Sequence, residues 1–347
     1  MSLTKQDQNY NIQFDMLRSL AIIGVLIIHS MNRYTVGSPV APFFELFTIL
    51  VRPCIAIFLF LSGALFVIKP IDLKQLKKRL TRTIVPYFIF SLFALYYTYK
   101  IGLFSVILHR PIQLLINILV GNTLGIYYFV FIIVVMYLID YILLANDTLR
   151  RYIVPILFVA YAINLIHTTY GYQLWHTITA KDLGDYSIYA DRSPFLWACF
   201  FIAGIVYQQQ HVQHYIDRWR SSIRIIWILI CTLYIILFFS PLPKPLIDGY
   251  HSPMGSVYAL STIFFLLTFP VKSLKWSYLS ERSYFIYLLH IFIVYGFLNA
   301  IYAMQMPAAP WMSLLSFALS LILSLLFYEL FYRAMPPSKR WLLGMNR

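Results

Sequence analysis

Apolar residues in this chain gather into long runs separated by short polar segments. They show neither the strict alternation of a strand nor the narrow stripe of a surface helix. Runs of this kind mark helices that cross a bilayer, whose hydrocarbon core of about 30 Å takes about 20 residues of helix. The pattern predicts an all-α, polytopic transmembrane bundle of about ten spans, at 14–31, 42–68, 84–100, 125–144, 152–168, 194–208, 223–240, 254–270, 283–303 and 311–332. The second run is longer than one span requires and carries Pro53, which predicts a tilt or a break there. Residues 111–121 are apolar but short, as in a re-entrant or interfacial piece. No internal repeat is visible. No stretch has the length and polarity of a second folded module, so 14–333 reads as one membrane domain between cytoplasmic tails at 1–13 and 334–347. The first run has no small-residue cleavage site, so it reads as a retained helix.

Charge fixes the expected orientation. The chain holds 27 Lys and Arg against 13 Asp and Glu, a net charge of +14. That excess alone invites a nucleic-acid reading, but its placement argues against one. Most of the basic residues fall between spans and on one side, in the segments around Lys74–Arg82, Arg150–Arg151, Arg218–Arg224, Lys272–Arg282 and Arg333–Arg347. This is the positive-inside pattern, and it predicts both termini in the cytoplasm. A basic inner surface suits anionic lipid or an anionic cofactor. The composition, 61% hydrophobic and 12% charged with mean hydropathy +0.73, excludes a soluble domain of this size. The 18% aromatic content suits interface belts and a packed bundle. Cys54, Cys199 and Cys231 each lie in an apolar run without metal-type spacing, so they read as small core residues, and no metal site is expected.

Ionisable residues inside apolar runs are costly, so each is a candidate site. His29 lies eleven residues after Arg18 in the first span. That spacing is close to three turns, so the two share a face about 16 Å apart along the axis. With Arg18 at the membrane edge, His29 lies about halfway through the core and reads as a general base, or as a structural histidine bonded to a neighbouring helix. Asp15 is too far along the helix to orient His29 and reads as a partner of Arg18. Glu45 matches the depth of His29 better. Arg52 needs an anion or several carbonyls, or pairs with Glu45, while Ser62-Gly63 permits close helix approach. Arg79 and Arg82, three apart and flanked by Lys77 and Lys78, read as a phosphate clamp or as a lipid-facing basic run. His290, taken as about 10 Å deep in the ninth span, reads as a cofactor contact or a packed polar residue. Glu329 is expected to pair with Arg333 at i+4, and Asp140 reads as structural. The long outer loop, 169–193, mixes His176, Lys181, Asp182, Asp185 and Asp191 with aromatics, and reads as a sugar-binding surface or an ordinary interfacial loop. There is no Walker motif, dinucleotide fingerprint, zinc spacing or serine elbow.

Four of these segments, in this order, resemble the acyltransferase-3 superfamily of integral-membrane O-acyltransferases. Asp15, Arg18 and His29 form a D-x-x-R-x(10)-H pattern similar to its first-helix signature. R-P-C-I-A-I-F-L-F-L-S-G-A-L-F resembles its second-helix block, and R-L-T-R-T-I-V-P-Y its R-x-x-R segment. L-S-E-R-S-Y-F-I-Y-L-L-H resembles its late S-Y-x-x-Y-L-x-H block. The chain departs from the family where Glu329 is followed by Leu330 and Phe331 instead of a Glu-x-Pro motif.

The resemblance implies a ten-helix domain in the bacterial cell membrane, with acyl-CoA, most often acetyl-CoA, as cytoplasmic donor and an extracytoplasmic glycan as acceptor. It makes His29 catalytic with Arg18 essential, and it places Arg79 and Arg82 on the cofactor; Lys78, beside them, and His290 are further cofactor candidates by position. Arg52, Glu45, Asp15 and Ser62 read, from their positions, as substrate or supporting residues. The length and the Tyr/Ile-rich helices look most like members linked to exopolysaccharide modification, which brings in a polysaccharide synthase or exporter as partner. The rival reading is a transporter or flippase for a polysaccharide or lipid-linked sugar, for which inverted repeats would be expected.

Overall fold

The computed structural model describes residues 12–31, 38–67, 72–179, 188–242, 252–271, 273–307 and 309–345. Among the described residues there is no strand. The main helices are α1 (Ile12–Met31), α2 (Ala41–Val51), α3 (Cys54–Val67), α4 (Leu73–Tyr99), α5 (Leu103–His109), α6 (Pro111–Leu119), α7 (Tyr128–Ala145), α8 (Asp147–Arg151), α9 (Ile153–Thr179), α10 (Pro194–Tyr207), α11 (Gln210–Arg218), α12 (Arg220–Phe239), α13 (Pro253–Leu267), α14 (Lys275–Ala303) and α15 (Pro310–Ala334).

A helix forms at each of the ten expected positions. Among the described residues, eight are long and apolar enough to cross a bilayer, counting α2 and α3 as one path. The other two, α10 and α13, run for 14 and 15 residues. The long second run does break at Pro53: α2 ends at Val51, Arg52 and Pro53 form a turn, and α3 starts at Cys54. Proline lacks the N–H that a continuing helix would bond. Prolines instead open α2, α6, α10, α13 and α15, where the first N–H groups have no helical partner in any case. The span expected from residue 84 is the second part of a 27-residue helix. Asp72 caps that helix by accepting from the Gln75 N–H at 2.6 Å, so the basic run is itself helical.

The core is built around α10, of whose 14 residues eleven are buried. It packs on α3 through facing glycines. A Cβ at Gly63 would lie 2.0 Å from the Phe201 carbonyl oxygen, and one at Gly204 would lie 1.9 Å from that of Phe60. In lipid, where helices gain no hydrophobic drive from meeting, such small-residue crossings supply close van der Waals contact. Helix ends that stop short of a polar surface must also satisfy their last carbonyls. At the end of α3, Gln208 donates to Ala64 O at 3.0 Å and Arg79 to Leu65 O at 2.8 Å. At the end of α13, Arg224 donates to the Thr268 carbonyl at 3.0 Å and its hydroxyl at 2.9 Å.

After α15 the chain folds back. Residues Pro337–Leu343 form a short 3-10 turn against α4, and Arg340 lies 3.6 Å over the Tyr332 ring. Gly344, at φ +74°, lets the chain pass Tyr284 where a Cβ would come within 2.7 Å.

Replacing Gly63 or Gly204 with Val forces α3 and α10 apart and destabilises by about 1–3 kcal/mol or more. Gly296→Ala, where a Cβ meets nothing within 4 Å, is the matched control. Thermal unfolding in detergent checks this: both valine variants should melt well below the parent, and Gly296→Ala should match it.

Candidate active site at the His29–His290 pair

The site rests on the packing of α1 along α14, which run parallel. Ser19 Oγ donates to Trp276 O at 2.8 Å. One turn on, Ser280 Oγ donates to Asp15 Oδ1 at 2.6 Å and accepts from Arg18 Nη1 at 3.2 Å. The serine hydroxyl thus sits between the expected Asp15 and Arg18 partners and ties both to α14. From Arg18 to His29 is eleven residues, and from Ser280 to His290 is ten, so the two helices rise by almost equal amounts of about 15–16 Å. The imidazoles meet at the top of that rise, with ring centroids 5.4 Å apart and planes 45° apart. His290 thus lies level with His29, on a helix that begins at Lys275, eight residues before the expected start of that span.

His29 is half-buried and lines a cavity of about 210 Å³ with Cys54, Phe58, Tyr128, Tyr287 and Tyr295 among other, mostly apolar residues. No carboxylate is among the described residues of that lining, and Glu45, on α2, is not part of it. The group beside His29 is a second imidazole. His290 is fully buried, and its Nδ1 lies 2.8 Å from Tyr287 O and 3.1 Å from Ile286 O. Carbonyls only accept, so Nδ1 carries the proton and Nε2 presents a lone pair. That Nε2 has no hydrogen-bond partner among the described residues. Tyr127 donates to Leu288 O at 2.7 Å, and the Tyr287 hydroxyl donates to Ile126 O, so the segment before α7 is bound to the same stretch of α14.

One edge of this region is organised by Arg192, just before α10. It donates to Val120 O at 2.7 Å, Gly121 O at 3.2 Å, Asn122 Oδ1 at 3.2 Å and Ile188 O at 2.6 Å. Burial lowers its affinity for its proton, and neighbouring Asp191 opposes that shift. Its signal in the sequence is its place in D-R-S-P at the mouth of an apolar run. Trp197 donates to Asp191 O at 2.8 Å and stacks on Tyr128 of the cavity wall, with centroids 6.4 Å apart. Of the proposed sugar-binding loop, Lys181, Asp182 and Asp185 lie outside the described residues; His176 rests near Tyr172, with rings 6.0 Å apart.

The remaining candidates are dispersed. Arg52 donates to the Tyr234 hydroxyl at 3.5 Å and lies 5.6 Å from the Phe238 ring centre. Ser62 bonds back to Phe58 O within its own helix at 2.8 Å. The structure separates Arg79 from Arg82. Arg79 turns inward onto Leu65 O and lies 4.6 Å over the Phe66 ring, with buried Asp140 in electrostatic reach. Arg82 is exposed and lines an open groove of about 380 Å³ with Lys74, Lys77, Lys78, Thr81 and Trp341. Trp341 comes from the folded-back C-terminal turn and was not foreseen. Glu329 pairs with Arg282 at 2.7 Å, not with Arg333 as expected, because α14 packs along α15 and brings a guanidinium to it, held over Tyr278 at 3.9 Å. Among the described residues, no group of three or more His, Cys, Asp or Glu is placed to hold a metal.

The sequence profile of the acyltransferase domain matches residues 11–329, nearly the whole chain. The chain belongs to this acyltransferase-3 family. It is a membrane acyltransferase, and the exporter reading gives way to that assignment. No curated protein and no solved structure matches the chain.

Ser280→Ala removes the hydroxyl shared by Asp15 and Arg18. Leaving buried Asp15 short of a donor costs about 1–3 kcal/mol. The variant should melt at lower temperature and lose acyl transfer; parental stability and activity would show that the hydroxyl bridge does not hold the register.

Proposed function

We propose that this acyltransferase moves a short acyl group, most simply acetyl, from cytoplasmic acyl-CoA to a hydroxyl of an extracytoplasmic glycan in the bacterial plasma membrane, with His29 as general base. The observation that carries this reading is the position of His29, on the wall of a mostly apolar cavity and beside a second imidazole. A base so placed can take a hydroxyl proton away from bulk water. Residues 14–333 are the catalytic domain in this reading, with both termini inside and a polysaccharide synthase or exporter as partner.

The donor docks by its phosphates at the Lys78 and Arg82 groove, where Lys74 and Lys77 add charge and the Trp341 ring offers a face for adenine. Its pantetheine arm runs inward toward His29. The acceptor hydroxyl loses its proton to His29 as its oxygen bonds the acyl carbon. The carbon–sulfur bond breaks, and the proton passes from His29 to the departing thiolate. Arg79 supports the donor site indirectly by holding the end of α3, and Arg18 holds α1 in register.

The test is label transfer from radiolabelled acetyl-CoA to surface polymer in membrane vesicles. His29→Ala should abolish transfer with insertion intact; undiminished labelling overturns the mechanism. The double variant Lys78→Ala/Arg82→Ala should raise the KM for acetyl-CoA by about tenfold, the equivalent of one lost charge-assisted contact of about 1.4 kcal/mol. Arg79→Ala should instead lower the melting temperature. An unchanged KM in the double variant would return the groove to a lipid-contact role.

A further inference from the structure

We propose that the cavity beside His29 is an acyl-chain pocket for uncharged aliphatic acyl groups up to the size of butyryl, and that Gly125 sets its size limit. This rests on the acyl-transfer reading and narrows its donor class to acetyl-, propionyl- and butyryl-CoA, with succinyl-CoA excluded.

The lining decides what can enter. Val25, Ile28, Ile55, Phe58, Ile126 and Phe129 form much of the wall. The Tyr287 hydroxyl, also on the wall, already donates to Ile126 O. No Lys, Arg, Asp or Glu is among the described residues of the lining. A sugar ring placed here would bring hydroxyls that the wall leaves without partners, and the second carboxylate of a succinyl group would be buried without a Lys or Arg. The aliphatic end of an acyl-CoA meets neither cost. Size sets the upper limit. An apolar cavity of about 150 Å³ takes a benzene ring. By that measure the cavity here, about 210 Å³, holds about eight non-hydrogen atoms, as many as a butyryl thioester carries up to the second carbon of its pantetheine arm. Acetyl leaves part of that space empty, and each added methylene that fills it strengthens binding about fourfold. Gly125, exposed and in the turn before α7, belongs to the lining, and a Cβ built on it meets nothing within 4 Å. Its φ lies outside the left-handed region, so the backbone does not require glycine at this position. The missing side chain therefore leaves space for the acyl chain, and a larger residue would take that space without strain.

The test supplies the full-length protein in vesicles with radiolabelled acetyl-, propionyl-, butyryl- or succinyl-CoA and compares kcat/KM, with melting temperature as the control for folding. In the parent, butyryl-CoA should be favoured over acetyl-CoA by about 15-fold, for two methylenes at about fourfold each, and succinyl-CoA should give no transfer. Gly125→Ala and Gly125→Leu should lower the butyryl-to-acetyl ratio stepwise, the leucine variant by about tenfold or more. An unchanged ratio, an equal loss for every donor, or transfer from succinyl-CoA at the acetyl rate overturns the proposal. A readout independent of turnover is the rise in melting temperature on adding each acyl-CoA in detergent. Butyryl-CoA should stabilise the parent more than acetyl-CoA does, and that difference should vanish in Gly125→Leu. If His29→Ala leaves transfer intact while the difference is seen, the general-base reading fails and the pocket stands. If His29→Ala abolishes transfer while the two donors stabilise the parent equally, the base stands and the pocket fails.

Discussion

The parallel packing of α1 on α14 is the constraint on which the rest of the molecule depends. Two helices with long apolar faces can slide, because apolar contact alone is nearly indifferent to register. Here polar groups remove that freedom. Ser19 reaches Trp276 O, and Ser280 joins Asp15 and Arg18, all at the same end of the pair. A slip of one turn would strand a buried carboxylate and a guanidinium in a poor solvent for charge. The register set there is carried by the rigid rise of both helices to the level where His29 and His290 meet. Charged residues near one surface thus determine which imidazole faces which about three turns away.

The surrounding bundle is held by the same economy of polar groups in an apolar medium. Gly63 and Gly204 let α3 and α10 approach backbone to backbone, which brings α3 and its Cys54 and Phe58 against the cavity. The ends of α3 and α13 are closed by Gln208, Arg79 and Arg224. Arg79 illustrates the cost of assigning function by spacing. Its place three residues before Arg82 invites a shared anion, yet the carbonyl at the end of α3 needs a donor and takes it. Arg82, one turn on, remains in the basic groove with Trp341.

Much of the architecture was legible in the sequence. Long apolar runs fixed where helices form, Pro53 marked the break between α2 and α3, and Gly63 marked a close crossing, because each follows from local chemistry. Of the site, His29, Arg18 and Asp15 were legible as costly residues on one helix. What local chemistry cannot give is which helices become neighbours. Pairing Glu329 with Arg333 was the nearest choice along the chain, but Arg282 arrives from another helix. The start of α14 is not legible from hydropathy, because Lys275–Arg282, a polar-looking stretch, continues the helix. Arg192 and Trp341 stand outside the apolar runs and acquire meaning only from the backbone they meet.

The central claim is that the α1–α14 register sets two imidazoles against each other inside the bundle. Solid-state NMR of the full-length protein in lipid, with ring-labelled histidine, measures this directly. The account predicts an inter-residue cross-peak between two histidine rings that disappears in both His29→Gln and His290→Gln. A spectrum in which that cross-peak is absent from the parent, or survives either substitution, would contradict it.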